Sequence, residues 1–159
     1  MKRAKKGLAF LISLCMIAGM LPTFAYANGD TFAEMKVGDK EAKQYDDQSQ
    51  FFSEFQQATG EISIKLLDDV TINGYIPVSE TQNVELDLNG CTLSTGVSSG
   101  SDLNTRHHYA IENNGTLLIE DTAGNGSIKA RGVKNLGEGI MVINGGTFID
   151  VDANGGAAI

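Results

Sequence analysis

Val84-Glu-Leu-Asp-Leu-Asn-Gly-Cys-Thr-Leu93 decides the reading of this chain: a short apolar strand, an Asn-Gly turn, a threonine and a second apolar strand in quick succession. The pattern returns as Ala110-Ile-Glu-Asn-Asn-Gly-Thr-Leu-Leu-Ile119 and as Gly139-Ile-Met-Val-Ile-Asn-Gly-Gly-Thr-Phe-Ile149, and Asn154-Gly-Gly-Ala-Ala-Ile159 starts it again. The turn asparagines Asn89, Asn114 and Asn144 stand 25 and 30 residues apart. Fixed-period similarity of this kind announces a solenoid before any secondary structure is assigned. Tight connections inside each unit and long intervals between units exclude a simple meander. Similar rungs are therefore expected to stack about 4.8 Å apart as parallel sheets.

Asn tolerates the left-handed backbone that a sharp turn needs, and Gly adopts it freely. Asn89, Asn114 and Asn144 accordingly read as structural turn residues, whose side chains can form a ladder along the stack. The sequon-like triplets at Asn114 and Asn125 follow from the same turn chemistry and require no glycan.

Ahead of the repeats, Ala33, Met35 and Val37 alternate with Glu34 and Lys36 as a short strand, and Gly38-Asp39 turns the chain. Asp47 to Thr59 reads as a helix. Phe51, Phe55 and Ala58 share one face, Asp47 can cap its start with Gln50 three residues on, and Gly60 can stop it. The first rung of a solenoid would otherwise expose apolar interior and strand edges, so this amphipathic helix is expected to act as the cap.

Working outward to the N-terminus, Lys2, Arg3, Lys5 and Lys6 precede an apolar run from Gly7 to Met20, followed by Ala25-Tyr26-Ala27. These are the three regions of a secretory signal peptide, with cleavage expected after Ala27. The run falls short of the ~20 residues that span a bilayer, so no membrane span is expected after cleavage. Leu14 before Cys15 argues against a lipoprotein signal. The expected organisation is residues 1–27 as signal peptide, 28–60 as N-terminal strand and capping helix, and 61–159 as rungs incomplete at the C-terminus. Downstream domains of the same chain are then expected.

The chain carries 20 acidic and 12 basic residues. Removing residues 1–27 takes four basic residues and no acidic ones, leaving eight against twenty and a formal charge of −12. Such a surface disfavours nucleic acid. A neutral glycan or a host or cell-surface protein is the expected partner, in a secreted or cell-surface location. Cys91 alone survives processing, so no intramolecular disulfide is expected, and it reads as a small core residue.

Together, Ile62-Ser-Ile-Lys-Leu-Leu-Asp-Asp-Val-Thr-Ile72, Leu86-Asp-Leu-Asn-Gly-Cys-Thr-Leu93, Leu117-Leu-Ile-Glu-Asp-Thr-Ala-Gly-Asn-Gly-Ser-Ile128 and Ile143-Asn-Gly-Gly-Thr-Phe148 resemble the pectate-lyase-like β-helix repeats of surface proteins from Gram-positive gut bacteria. The resemblance spans roughly residues 33 to 159. It implies an all-β fold, a right-handed parallel β-helix (solenoid) with an N-terminal amphipathic capping helix; the handedness also follows from the general bias of parallel crossovers. It further implies either a non-catalytic stalk or adhesin, or the N-terminal fragment of a polysaccharide lyase or glycoside hydrolase.

An enzyme of that kind needs convergent acids, for calcium or for acid and base. Asp68-Asp69, Asp87 and Glu120-Asp121 each fit a turn or a solvated strand, so no catalytic residue, cofactor or metal is assigned. Asp150 and Asp152 alternate around Val151 and share a face, a weak binding candidate. Arg106, His107, His108 and Tyr109 form the densest mixture of basic and aromatic groups after the longest polar loop, and are the best of the weak binding candidates. The stalk or adhesin is the preferred reading, since fold alone does not confer chemistry.

Overall fold

A computed structural model describes residues 31–96, 109–130 and 132–149. The chain begins with β1 (Ala33–Val37), β2 (Lys43–Tyr45) and the helix α1 (Gln48–Gln57). It continues with β3 (Gly60–Leu66), β4 (Val70–Ile72), β5 (Ile76–Val78), β6 (Gln82–Asp87), β7 (Thr92–Thr95) and β8 (Ile111–Asn113). The series closes with β9 (Thr116–Glu120), β10 (Ser127–Lys129), β11 (Val133–Asn135), β12 (Ile140–Ile143) and β13 (Thr147–Ile149). The protein is mostly β, and α1 is the single helix among the described residues.

Three sheets result, in the orders β12-β9-β6-β3-β1-β2, β13-β10-β7-β4 and β11-β8-β5. From β3 onward the chain visits the first, second and third sheet in a fixed cyclic order. Every pairing among β3 to β13 is parallel. This arrangement is compatible with a β-helix. The circuits differ in length: Gly60 pairs with Gln82, Asn83 with Thr116 and Thr116 with Ile140, so the widest offset falls where residues 97–108 intervene.

Alternation along each strand sends one set of apolar side chains inward, and the parallel register stacks like on like. Ile62, Val84, Leu117 and Met141 form one column, Ile64, Leu86, Ile119 and Ile143 the next, and Val70, Leu93, Ile128 and Phe148 a third. All are buried except Met141, Ile143 and Phe148, which lie in β12 and β13 and are half-buried. Those two strands pair on one side only among the described strands, and that accounts for the difference.

At the opposite end, β1 pairs antiparallel with both β2 and β3. Asp47 starts α1 by accepting hydrogen bonds from the N–H groups of Ser49 (2.7 Å) and Gln50 (3.4 Å). Phe51 and Phe55 are buried, with ring centroids 6.1 Å apart and nearly parallel, and both belong to the same core as the stacked columns. Gln82, 1 % exposed, joins helix to sheet: its amide donates to the carbonyls of Phe55 (2.8 Å) and Ala58 (2.9 Å), and its Oε1 accepts from Ser79 N–H (2.8 Å).

Three features differ from the sequence reading. Lys43–Tyr45 is a strand, although three residues offer no alternation to detect. The helix ends at Gln57, because Ala58 is already extended. The quoted repeats are also not in one phase: the segments around Asn89 and Asn144 run from the first sheet to the second, whereas that around Asn114 runs from the third sheet to the first. Asn-Gly chemistry serves both corners, so the motif alone does not reveal which corner it occupies.

Candidate functional site

At the corner between the first and second sheets, carboxylates bind backbone amides of their own turns and of neighbouring circuits. Asp69 Oδ1 accepts from Thr92 N–H (2.6 Å). Asp87 Oδ1 accepts from the N–H groups of Asn89 (2.8 Å) and Thr122 (3.0 Å), and its Oδ2 from the Thr122 hydroxyl (2.7 Å). Asp121 Oδ1 accepts from Gly90 N–H and Oδ2 from Gly126 N–H, both at 2.7 Å. Asp87 is therefore half-buried rather than a freely solvated strand residue. Burial works against its charge, yet the hydrogen bonds from Thr122 and Asn89, with Lys65 nearby, hold its carboxyl below the usual range. Beside it the half-buried Cys91 thiol is pushed up by burial and by the surrounding Asp69, Asp68, Asp121 and Asp87.

This corner is built to hold the turns. Among the described residues no group of three or more His, Cys, Asp or Glu side chains is placed to hold a metal ion.

The turn asparagines do not meet in one ladder. Asn89, at φ +48°, donates through Nδ2 to Leu66 O (2.9 Å). Asn144 donates to Glu120 Oε1 (3.4 Å), and Asn114 lies exposed at the other corner with its N–H bound to Val78 O (2.8 Å). One asparagine pair does bond across the stack, between residues other than these turn asparagines. Asn113 Nδ2 donates to Asn135 Oδ1 (2.7 Å) and to Ile140 O (2.9 Å), while Asn113 Oδ1 accepts from Gly115 N–H (3.1 Å).

Beside that pair lies a buried polar group with an unsatisfied oxygen, one of two such side-chain atoms among the described residues. In β8, Ile111 and Asn113 face the interior, so Glu112 stands on the opposite face, in register with Pro77 of β5 and Lys134 of β11. Glu112 is only 9 % exposed, and its Oε1 has no hydrogen-bond partner. Lys134 Nζ stands 4.0 Å from that oxygen, too far for a hydrogen bond, and 5.6 Å from the centroid of the Tyr109 ring. Thr95 Oγ1 is the other buried side-chain atom in this condition among the described residues, but it is a neutral hydroxyl. An unfilled carboxylate acceptor is the costlier case, because charge raises the desolvation penalty.

Of the binding candidates read from sequence, Tyr109 belongs to this cluster. Arg106, His107, His108, Asp150 and Asp152 lie outside the described residues.

The chain matches no protein-family model, no curated protein and no solved structure. The pectate-lyase-like resemblance thus rests on the sequence motifs, alongside a parallel strand order compatible with it.

Sequence reasoning passed over Glu112 and Lys134. The available signal was Ile111-Glu-Asn113 against Val133-Lys-Asn135, two units of one shape with opposite charges at the middle position. Phasing the repeats on these triplets, instead of on Asn-Gly, brings the pair together.

Proposed function

We propose that this protein is a right-handed parallel β-helix, capped at its start by α1, that works as a non-catalytic secreted or cell-surface stalk or adhesin. Residues 1–27 direct its export, and the repeating circuits present their outer faces to a neutral glycan or a cell-surface protein. The observation that carries this reading is the use made of the acids. Asp69, Asp87 and Asp121 accept from the amides of Thr92, Thr122 and Gly90, which joins one circuit to the next, and Asp87 and Asp121 also hold Asn89 and Gly126 of their own turns. A hydrolase or lyase keeps such carboxylates converging on a substrate. The pectate-lyase-like motifs of the sequence support the same fold, and the acidic balance favours uncharged partners.

The test is to incubate the secreted protein with neutral and acidic polysaccharides, and to follow both retention on the immobilised polymers and release of new reducing ends or unsaturated sugars. Retention without chain scission is the expected result. Turnover with either product signature would establish the enzymatic alternative and discard this one.

A further inference from the structure

We infer that Asn73 and Asn144 are sites of spontaneous deamidation, while the fold shields the other described Asn-Gly pairs from the same reaction. The inference concerns the chemistry of the turns and stands independently of the function proposed above.

Asparagine followed by glycine is open to this reaction because glycine has no side chain to screen its backbone nitrogen. That nitrogen, once deprotonated, attacks the asparagine Cγ. An N–Cγ bond forms, the Cγ–Nδ2 bond breaks, and Nδ2 leaves as ammonia, so that a succinimide ring closes. Water then adds across one of the two ring C–N bonds. Opening at Cγ gives aspartate, and opening at the main-chain carbonyl gives isoaspartate, in which the chain runs through Cβ and Cγ. The state of the glycine N–H therefore controls the rate. A carboxylate that accepts from it stabilises the protonated form and repels the amide anion.

Five Asn-Gly pairs fall within the described residues, at Asn73, Asn89, Asn114, Asn125 and Asn144. Asp121 guards two of them, its oxygens accepting from Gly90 and Gly126 N–H at 2.7 Å each. Asn89 is further tied through Nδ2 to Leu66 O. Gly115 N–H is held more weakly, by the neutral Oδ1 of Asn113 at 3.1 Å. Gly74 and Gly145 differ, because neither N–H donates to an acceptor among the described residues. Asn73 lies exposed between β4 and β5, and Asn144 exposed between β12 and β13, so water reaches both. Asn125 is exposed as well, so the hold on the glycine, not exposure, separates the pairs.

At Asn144 the product also matters to the stack. Its Nδ2 donates to Glu120 Oε1 at 3.4 Å, and deamidation exchanges that donor for a second carboxylate. Isoaspartate lengthens the chain between β12 and β13, two strands held in register on the preceding circuit.

The experiment ages the purified full chain in mildly alkaline buffer, folded and in parallel in urea. Peptide mapping by mass spectrometry assigns the exchange of NH2 for OH to each asparagine, and isoaspartyl methyltransferase labelling scores isoaspartate. In the folded chain Asn73 and Asn144 are expected to convert about tenfold or more faster than Asn89 and Asn125, with Asn114 between. In urea, where the guards are gone, the five are expected to converge on similar rates. Asp121→Ala, verified as folded by circular dichroism, is expected to speed Asn89 and Asn125 and to leave Asn73 and Asn144 unchanged. Equal rates at all five positions in the folded wild type, or Asn89 or Asn125 converting first, would overturn the inference. Unchanged rates at Asn89 and Asn125 in the folded variant would do the same for the guarding role of Asp121. If Asp121→Ala fails to fold, the contrast between folded and urea-treated wild type decides the matter alone.

Discussion

Asp121 and Gly90 stand in neighbouring circuits, and the carboxylate of the first holds the backbone N–H of the second at 2.7 Å. Gly90 sits at φ +81°, at the corner between β6 of the first sheet and β7 of the second. The other Asp121 oxygen takes Gly126 N–H, so one side chain stitches its own turn to the preceding one.

Asp121→Ala is therefore expected to destabilise the protein by roughly 2–3 kcal/mol, since two amides lose a charged acceptor together. Equilibrium urea unfolding at neutral pH measures this. A loss within about 0.5 kcal/mol, the level of an ordinary surface change, would show that the stitch is dispensable.

Asp87 gives the fold a defined response to acid. Its folded-state pKa lies below the unfolded value of about 3.9, so its stabilising contribution is present above that pH and disappears as pH falls through the folded value. The urea midpoint is expected to hold steady from pH 7 to about 5 and to drop on further acidification, with Asp87→Asn showing a lower plateau and a shallower drop. Parallel pH profiles for the two proteins would contradict the assignment.

Gln82 is the polar pin between α1 and the sheets. Replacement by Ala leaves the carbonyls of Phe55 and Ala58 and the N–H of Ser79 without their side-chain partner, at an expected cost of about 2–4 kcal/mol in thermal or urea unfolding. Amide exchange in α1 is expected to accelerate in the same variant. Unchanged protection there would mean that Phe51 and Phe55 hold the helix by burial alone.

Gly115 and Gly137 separate two uses of glycine. A Cβ at Gly115 would run into the backbone carbonyl oxygens of Ser79 and Gln82, whereas at Gly137 there is open space and only the φ of +54° to oppose it. Gly115→Ala is expected to cost at least about 2–3 kcal/mol, because backbone cannot step aside as a side chain can. Gly137→Ala is expected to cost about 1 kcal/mol. Equal melting shifts for the two would count against the close approach at Gly115.

Much of the fold was legible in the residues. The alternation in Ala33 to Val37, the Phe51 and Phe55 face with its Asp47 cap, and the apolar strands flanking Asn89 and Asn144 all stand where period and turn chemistry put them. The candidate site was less legible. Tyr109 was singled out for its neighbours in sequence, while Glu112 and Lys134, distant along the chain, looked like ordinary charged strand residues.

The sequence by itself determined that strands recur, that their apolar faces turn inward, and that Asn and Gly turn the chain sharply between them. Those properties are local, set by side-chain alternation and by the backbone preferences of single residues. Only the tertiary structure decided the phase of the repeat: that Asn114 turns a different corner from Asn89, that Asn113 finds Asn135, and that Glu112 comes to rest 4.0 Å from Lys134. Register between parallel strands is a non-local quantity, selected by which columns of side chains pack best across whole circuits of unequal length. No short motif within one circuit carries that information.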